Sequence, residues 1–303
     1  PSIFHNIANL SVLPAQSLES VDFNSGGFGV QYGNASGGII VLRSKDERPE
    51  VPHTEIVANV PFYTGVFHER PLSDQSSMAV SIRRSTLEAI LPTVLKNASK
   101  DGFEATVIPY FYDAFGRYEW KSDAVRYRLT AIQSLDGLTL AVPAAQADNA
   151  KGQFNVEFRN GFSTLALEAQ GSVDADWTYR TTPQFQIFRT KADIGANDIF
   201  INGRILTLPT EFSHRLDKGR YVYVGFEPQF INIRADINSI LYVSDDPYFD
   251  PETAPKVLLR RDYNYSNLAA WTSFDGSVGD LTYTPGVRIF KTGIELPSSF
   301  DPR

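Results

Sequence analysis

Between Val125 and Ala131 the side chains change character at every residue: Val125, Tyr127, Leu129 and Ala131 are apolar, and Arg126, Arg128 and Thr130 are polar. A period of two sends alternate side chains to opposite faces of an extended chain, which suits a strand and not a helix. The same pattern returns at Phe154, Val156 and Phe158 against Gln153, Asn155, Glu157 and Arg159. Further strands are expected at 177–181, 185–189, 221–226, 230–237, 240–244, 257–261, 281–284 and 287–291. Their spacing of roughly ten residues is that of antiparallel sandwiches and barrels. Two glycine pairs predict hairpin turns, Asp136-Gly137 and Asn202-Gly203, because both central positions of such a turn need positive φ.

Residues 1–24 lack sustained periodicity and predict an arm lying on the fold or on a neighbour. Phe28, Val30 and Tyr32 alternate, Ile39–Leu42 is a buried-strand run, and strands are expected at 55–60, 78–82 and 105–112. A helix is predicted from Ser85, where Ser-Thr-Leu-Glu forms a capping box ahead of Leu87, Ile90, Leu91, Val94 and Leu95. Pro92 removes one helical hydrogen bond and predicts a kink. The expected fold is therefore all-β. It has two antiparallel β-sandwich or barrel domains at 25–148 and 149–295, a short helical insertion near 85–98, an arm at 1–24 and a tail at 296–303. The small, polar stretch 144–152 is the expected linker.

Composition narrows the function. A net charge of −7 argues against a nucleic-acid binder, whose affinity comes from clustered Lys and Arg. The absence of cysteine excludes disulfides, thiolate ligands and a cysteine nucleophile. No apolar run reaches helical membrane-spanning length, which predicts no membrane insertion. The chain opens at Pro1 without a charged n-region and apolar h-region, so no signal peptide is visible. Arginine outnumbers lysine among 28 basic residues, beside 21 Phe and 14 Tyr, a choice that favours assembly interfaces.

Candidate sites are few. Asp245, Asp246, Asp250 and Glu252 crowd one proline-rich loop. Calcium takes such oxygens, although Asp-Pro pairs equally make stiff turns. Tyr263, Tyr265 and Trp271, with Asp262 and Asn264, could stack on and hydrogen-bond a sugar. Asp174 and Asp176 offer a carboxylate pair of glycosidase type. His5, His53, His68 and His214 show no metal-binding spacing, and no catalytic residue is assigned. The expected function is a non-enzymatic structural or adhesive subunit of a virion or phage tail appendage. It would be made in the cytoplasm, self-associate and dock on other structural proteins of the assembly. The alternative is a carbohydrate-binding module that holds a surface glycan. No cofactor is expected beyond calcium.

Overall fold

The computed structural model describes residues 5, 10–33, 35, 37–98, 106–142, 154–217, 219–240 and 254–295. After a 3-10 turn at Ala15–Ser17 come β1 (Leu18–Asn24), β2 (Ile39–Ser44), β3 (His53–Asn59), β4 (Tyr63–Ser73) and β5 (Ser76–Ser85). Helix α1 (Leu87–Ala98) precedes β6 (Thr106–Lys121), β7 (Val125–Val142), β8 (Phe154–Ser172), β9 (Trp177–Thr181) and β10 (Gln184–Ile194). The described chain continues through β11 (Asn197–Thr207), β12 (Thr210–Arg215), β13 (Tyr221–Ile240), β14 (Lys256–Val278), β15 (Leu281–Tyr283) and β16 (Gly286–Glu295).

Strands β1 and β2 form a two-stranded ribbon, and β3 to β16 form a single 14-stranded antiparallel sheet. Neighbours in sequence are neighbours in the sheet, as in an up-and-down meander. Three breaks in it fall at Pro183, Pro209 and Pro285. A proline has no N–H to donate, but its carbonyl still accepts. Leu167 N–H bonds the Pro183 carbonyl, Thr182 N–H that of Pro209, and Phe274 N–H that of Pro285. Strands β9 and β10 therefore run as one span, as do β11 with β12 and β15 with β16.

The all-β, antiparallel expectation holds, with one helix among the described residues. Two separate sandwiches are not confirmed, because β7 and β8 pair without a break from Val125↔Gly171 to Val142↔Phe154, across the expected boundary. The linker itself lies outside the described residues. Helix α1 is a single element through Pro92; the Ser85 hydroxyl accepts the Phe111 N–H and donates to the Glu88 side chain, which is not the reciprocal side-chain-to-backbone pairing of a capping box. Part of the expected arm, residues 18–24, is strand β1, whereas Phe28 lies in irregular chain, Val30 in a turn and Tyr32 in a bend.

Both predicted glycine hairpins fail, for one physical reason. Strand β7 runs straight through Asp136-Gly137, and β11 through Asn202-Gly203. These glycines make room and do not make turns. A Cβ on Gly137 would stand 2.0 Å from the Tyr110 ring, and one on Gly203 2.3 Å from the Phe188 ring. Their aromatic cross-strand neighbours lie over the bare backbone, a recognised way of packing a glycine in a sheet. Gly225 likewise accepts the indole of Trp271, which is 7% exposed.

The connections alternate in length. At one end of the sheet the turns 74–75, 122–124, 173–176, 216–220 and 279–280 are all short. At the other end, residues 86–105, 143–153 and 241–255 are long connections beside short turns at 60–62 and 195–196.

A test of the glycine packing is Gly225→Ala, whose new Cβ would sit 2.1 Å from Trp271 Cζ2. Overpacking should lower stability by about 1–3 kcal/mol in urea unfolding followed by tryptophan fluorescence. An unchanged midpoint would mean that the indole has room to move.

Candidate functional site

In β5 the burial pattern runs against composition. Ser77, Ala79, Ser81, Arg83 and Ser85 are buried, while Val80 and Ile82 are exposed, Ile82 at 70%. Strand β6 repeats this: Phe111, Asp113, Phe115, Arg117 and Glu119 are buried, and Tyr112, Ala114 and Tyr118 are exposed. The cross-strand register carries both faces through the sheet, since directly paired residues share a face. Val80, Gly116, Ala131, Leu165, Phe185, Leu206 and Phe230 make one outward row. This is a sheet with its polar face inside.

The N-terminal segment lies on the inner face of β3 to β7 and reaches β16. His5 is 1% exposed, bonds Asp113 Oδ2 of β6 at 2.9 Å, also bonds Asp136 of β7 and stacks on Phe111 at 4.1 Å. Arg83 of β5 ties the same carboxylate at 2.7 Å and donates to the Ser11 carbonyl at 2.6 Å. Leu13 packs on the small apolar cluster of Phe67, Ala79 and Phe115.

Further on, Glu119 pairs with Arg117 (3.2 Å), Arg126 (3.2 Å) and Arg128 (2.8 Å). The two latter arginines also hold Asp46 at 2.8 and 2.5 Å, and Arg117 donates to the Ser44 hydroxyl and the Lys45 carbonyl. The segment reaches both sides of the sheet. Gln16 donates to Glu55 of β3 at 2.5 Å, and Arg288 of β16 donates to the Gln31 carbonyl at 2.9 Å while its guanidinium stands over Trp271.

Two groups of this segment titrate abnormally. Burial opposes a charge on His5, but the hydrogen bonds and charges of Asp113 and Asp136 outweigh it and raise the imidazole from 6.5 to about 9. Asp46 is lowered from 3.8 to about 2, chiefly by the hydrogen bond from Arg126 against partial burial, then by Arg128. A clamp of this kind binds the segment through charge.

The outward face is the converse. No Asp, Glu, Lys or Arg stands among its alternate residues at 110–120, 125–137, 161–171, 177–187, 206–214, 222–230 or 266–274. On β13 this stretch is Val222, Val224, Phe226, Pro228 and Phe230. Its length is what a tilted membrane-spanning strand needs, about 9–11 residues.

Towards the short-turn end, aromatic rings gather on this face: Tyr118, Trp120 and Tyr127 stack in series, Trp177 stacks on His214, and Phe274 leans on Tyr283. Towards the long-connection end, the face turns ionic, with Arg234–Asp262 at 2.8 Å and Arg260–Asp236 at 2.6 Å. An apolar band bordered by aromatics, with short turns at one end and longer loops at the other, is the pattern of transmembrane β-barrels. No described helix is long and apolar enough to cross a membrane, which says nothing of strands.

No family model matches the chain, and no curated protein does. Solved structures do. The outer membrane transporter YddB from Escherichia coli superposes with a TM-score of 0.61 at 14% identity, over 95% of this chain and 45% of that one. The ferric yersiniabactin uptake receptor FyuA from Yersinia pestis gives 0.52 at 11%, over 86% and 45%. The Escherichia coli K12 ferric-catecholate import receptor Fiu, in its open form, gives 0.51 at 12%, over 92% and 56%. The likeness is one of fold. The chain spans less than two thirds of the length of each.

These findings correct several expectations. A virion or tail-appendage subunit, and equally a glycan-binding module, is overturned by a fold shared with outer-membrane proteins. Docking on structural proteins of a virion and residence in an extracellular assembly go with it. The exclusion of membrane insertion fails too, because it counted apolar runs of helical length, whereas a barrel strand needs apolar residues only at every second position.

The proposed sugar site is divided by the sheet. Tyr263, Tyr265 and Trp271 occupy inward positions of β14, whereas Asp262 and Asn264 face outward, paired with Arg234 and Asn232. Asp174 lies in a turn, where its carboxylate takes the N–H groups of Asp176 and Trp177, and Asp176 pairs with Arg215 at 3.1 Å. Asp245, Asp246, Asp250 and Glu252 lie outside the described residues. Sequence reasoning missed the His5, Arg83, Asp113, Asp136 group, whose members are distant in the chain. It also missed the signal that was present: in 110–120 the charges fall on odd positions alone.

The clamp makes a pH-dependent prediction. Because His5 is raised above its unfolded value, its contribution is full below pH 6.5 and is lost as pH rises through about 9. His5→Asn should cost about 3 kcal/mol in the lower range, and its unfolding curve should merge with that of the native chain above pH 9. A gap between the two curves that persists at high pH would show that the clamp does not depend on charge.

Proposed function

We propose that the chain forms part of a non-enzymatic outer-membrane β-barrel transporter of the TonB-dependent-receptor kind. Its outward face meets lipid, and the N-terminal segment fills the lumen side. The observation that carries this reading is the outward band, uncharged from β6 to β14, lying back to back with a buried ionic face. Water would not tolerate so broad an apolar surface, since monomeric soluble proteins rarely expose contiguous patches above a few hundred Å². Hydrocarbon demands it.

Within this reading, the N-terminal segment closes the passage until a ligand, or a pull from the inner side, loosens its charged contacts. Ferric chelates are the cargo class, carried over from the names of two structural neighbours. The long connections at the ionic end are the ligand-facing side, as in other barrels of this type.

The two faces should respond oppositely to an added charge. In lipid vesicles, Leu165→Arg on the outward band should cost about 2–4 kcal/mol of unfolding free energy, and Gln186→Arg on the inner face far less. Equal costs, or an absence of vesicle insertion in flotation and protease-protection assays, would defeat the membrane reading.

A further inference from the structure

The outward band has a depression of about 420 Å³ in its middle. Ala114, Gly116, Ala131, Ser163, Phe185 and Ile187 are among the residues that line it. The register places these residues on four neighbouring spans, so the hollow belongs to the sheet surface and not to a loop. It is open to the surroundings, and four of these side chains are small.

Two guanidiniums stand at one end of this hollow. Arg204 is paired directly across from Ile187, and Arg189 lies two residues beyond Ile187 on the same face. Both are exposed, and neither has an ionic or hydrogen-bonded partner among the described residues. Their outward neighbours are different: Arg234 has Asp262, Arg260 has Asp236, and Lys191 has Asp193. Arg189 and Arg204 also sit at the border where the uncharged band ends and the ionic zone begins. A pair of unneutralised cations at that border, beside an apolar hollow, fits an amphiphile with an anionic head.

We propose that this surface binds one anionic, phosphate-bearing membrane lipid, for which phosphatidylglycerol is the probe, with an acyl chain along the hollow and a headgroup phosphate on Arg189 and Arg204. The inference rests on the membrane reading above. Planar guanidiniums bind phosphate oxygens through parallel charge-assisted hydrogen bonds, and the Gln133 amide at the edge of the hollow can donate to a lipid ester carbonyl. Chain burial supplies affinity, and the arginine pair supplies the choice of headgroup.

The test uses the full chain in phosphatidylcholine vesicles, with or without a minority of phosphatidylglycerol, and counts lipids retained after extraction by native mass spectrometry. The native protein should retain phosphatidylglycerol in preference to phosphatidylcholine. Arg189→Gln/Arg204→Gln should retain roughly tenfold less phosphatidylglycerol, with phosphatidylcholine unchanged, and Arg189→Lys/Arg204→Lys should recover part of the loss. Ala131→Leu, which fills the hollow, should lower retention of both lipids. Normal insertion of the glutamine variant with undiminished phosphatidylglycerol retention would overturn the lipid site alone, whereas failure of the native protein to insert would overturn the membrane reading beneath it.

Discussion

A charged side chain can be buried only where other charges and hydrogen bonds replace the water it has lost. The inner face of this sheet is arranged around that constraint. Asp113 is shared by His5 and Arg83, and Glu119 by three arginines. Remove the N-terminal segment, and Asp113, Asp136, Arg117 and Arg128 lose partners that no strand supplies. The segment thus completes the pairing of charges that the strands satisfy only in part.

The exposed face then sets the solvent. A soluble sheet pairs an apolar face with another layer, and here the layer on the sheet covers the polar side. What remains outward is Val80, Ile82, Leu165, Phe230 and Leu268, with no second layer among the described residues. Strands of unusual length accompany this arrangement. β14 has 23 residues, against about 3–10 for most strands of globular proteins. Length of this kind lets one strand cross an apolar zone and continue into an ionic one, as β14 does from Leu268 to Asp262 and Arg260.

Much of the strand content was legible from alternation alone, because the period of two is a local property of residues such as Val125, Tyr127 and Leu129. Alternation separates two faces without saying which of them meets water. The usual assumption, apolar residues inside, gave sandwiches and made the aromatic and arginine excess look like an assembly interface. Asn202-Gly203 read as a turn because its other use depends on Phe188, a residue on the neighbouring strand. The ionic clamp was out of reach for the same reason, since His5 and Asp136 are 131 residues apart in sequence. The odd-numbered charges of β6 were within reach, had the two faces been compared position by position.

The unequal connections at the two ends of the sheet carry a consequence for how such a protein can change over time. A turn such as 74–75 or 279–280 fixes the register of the strands it joins, so an inserted residue there shifts side chains from one face to the other. Lengthening a connection such as 86–105 or 241–255 adds only slowly growing loop entropy and leaves the pairing intact. One rim of the sheet is therefore held constant by geometry, and the opposite rim is free to acquire new recognition chemistry on an unchanged wall.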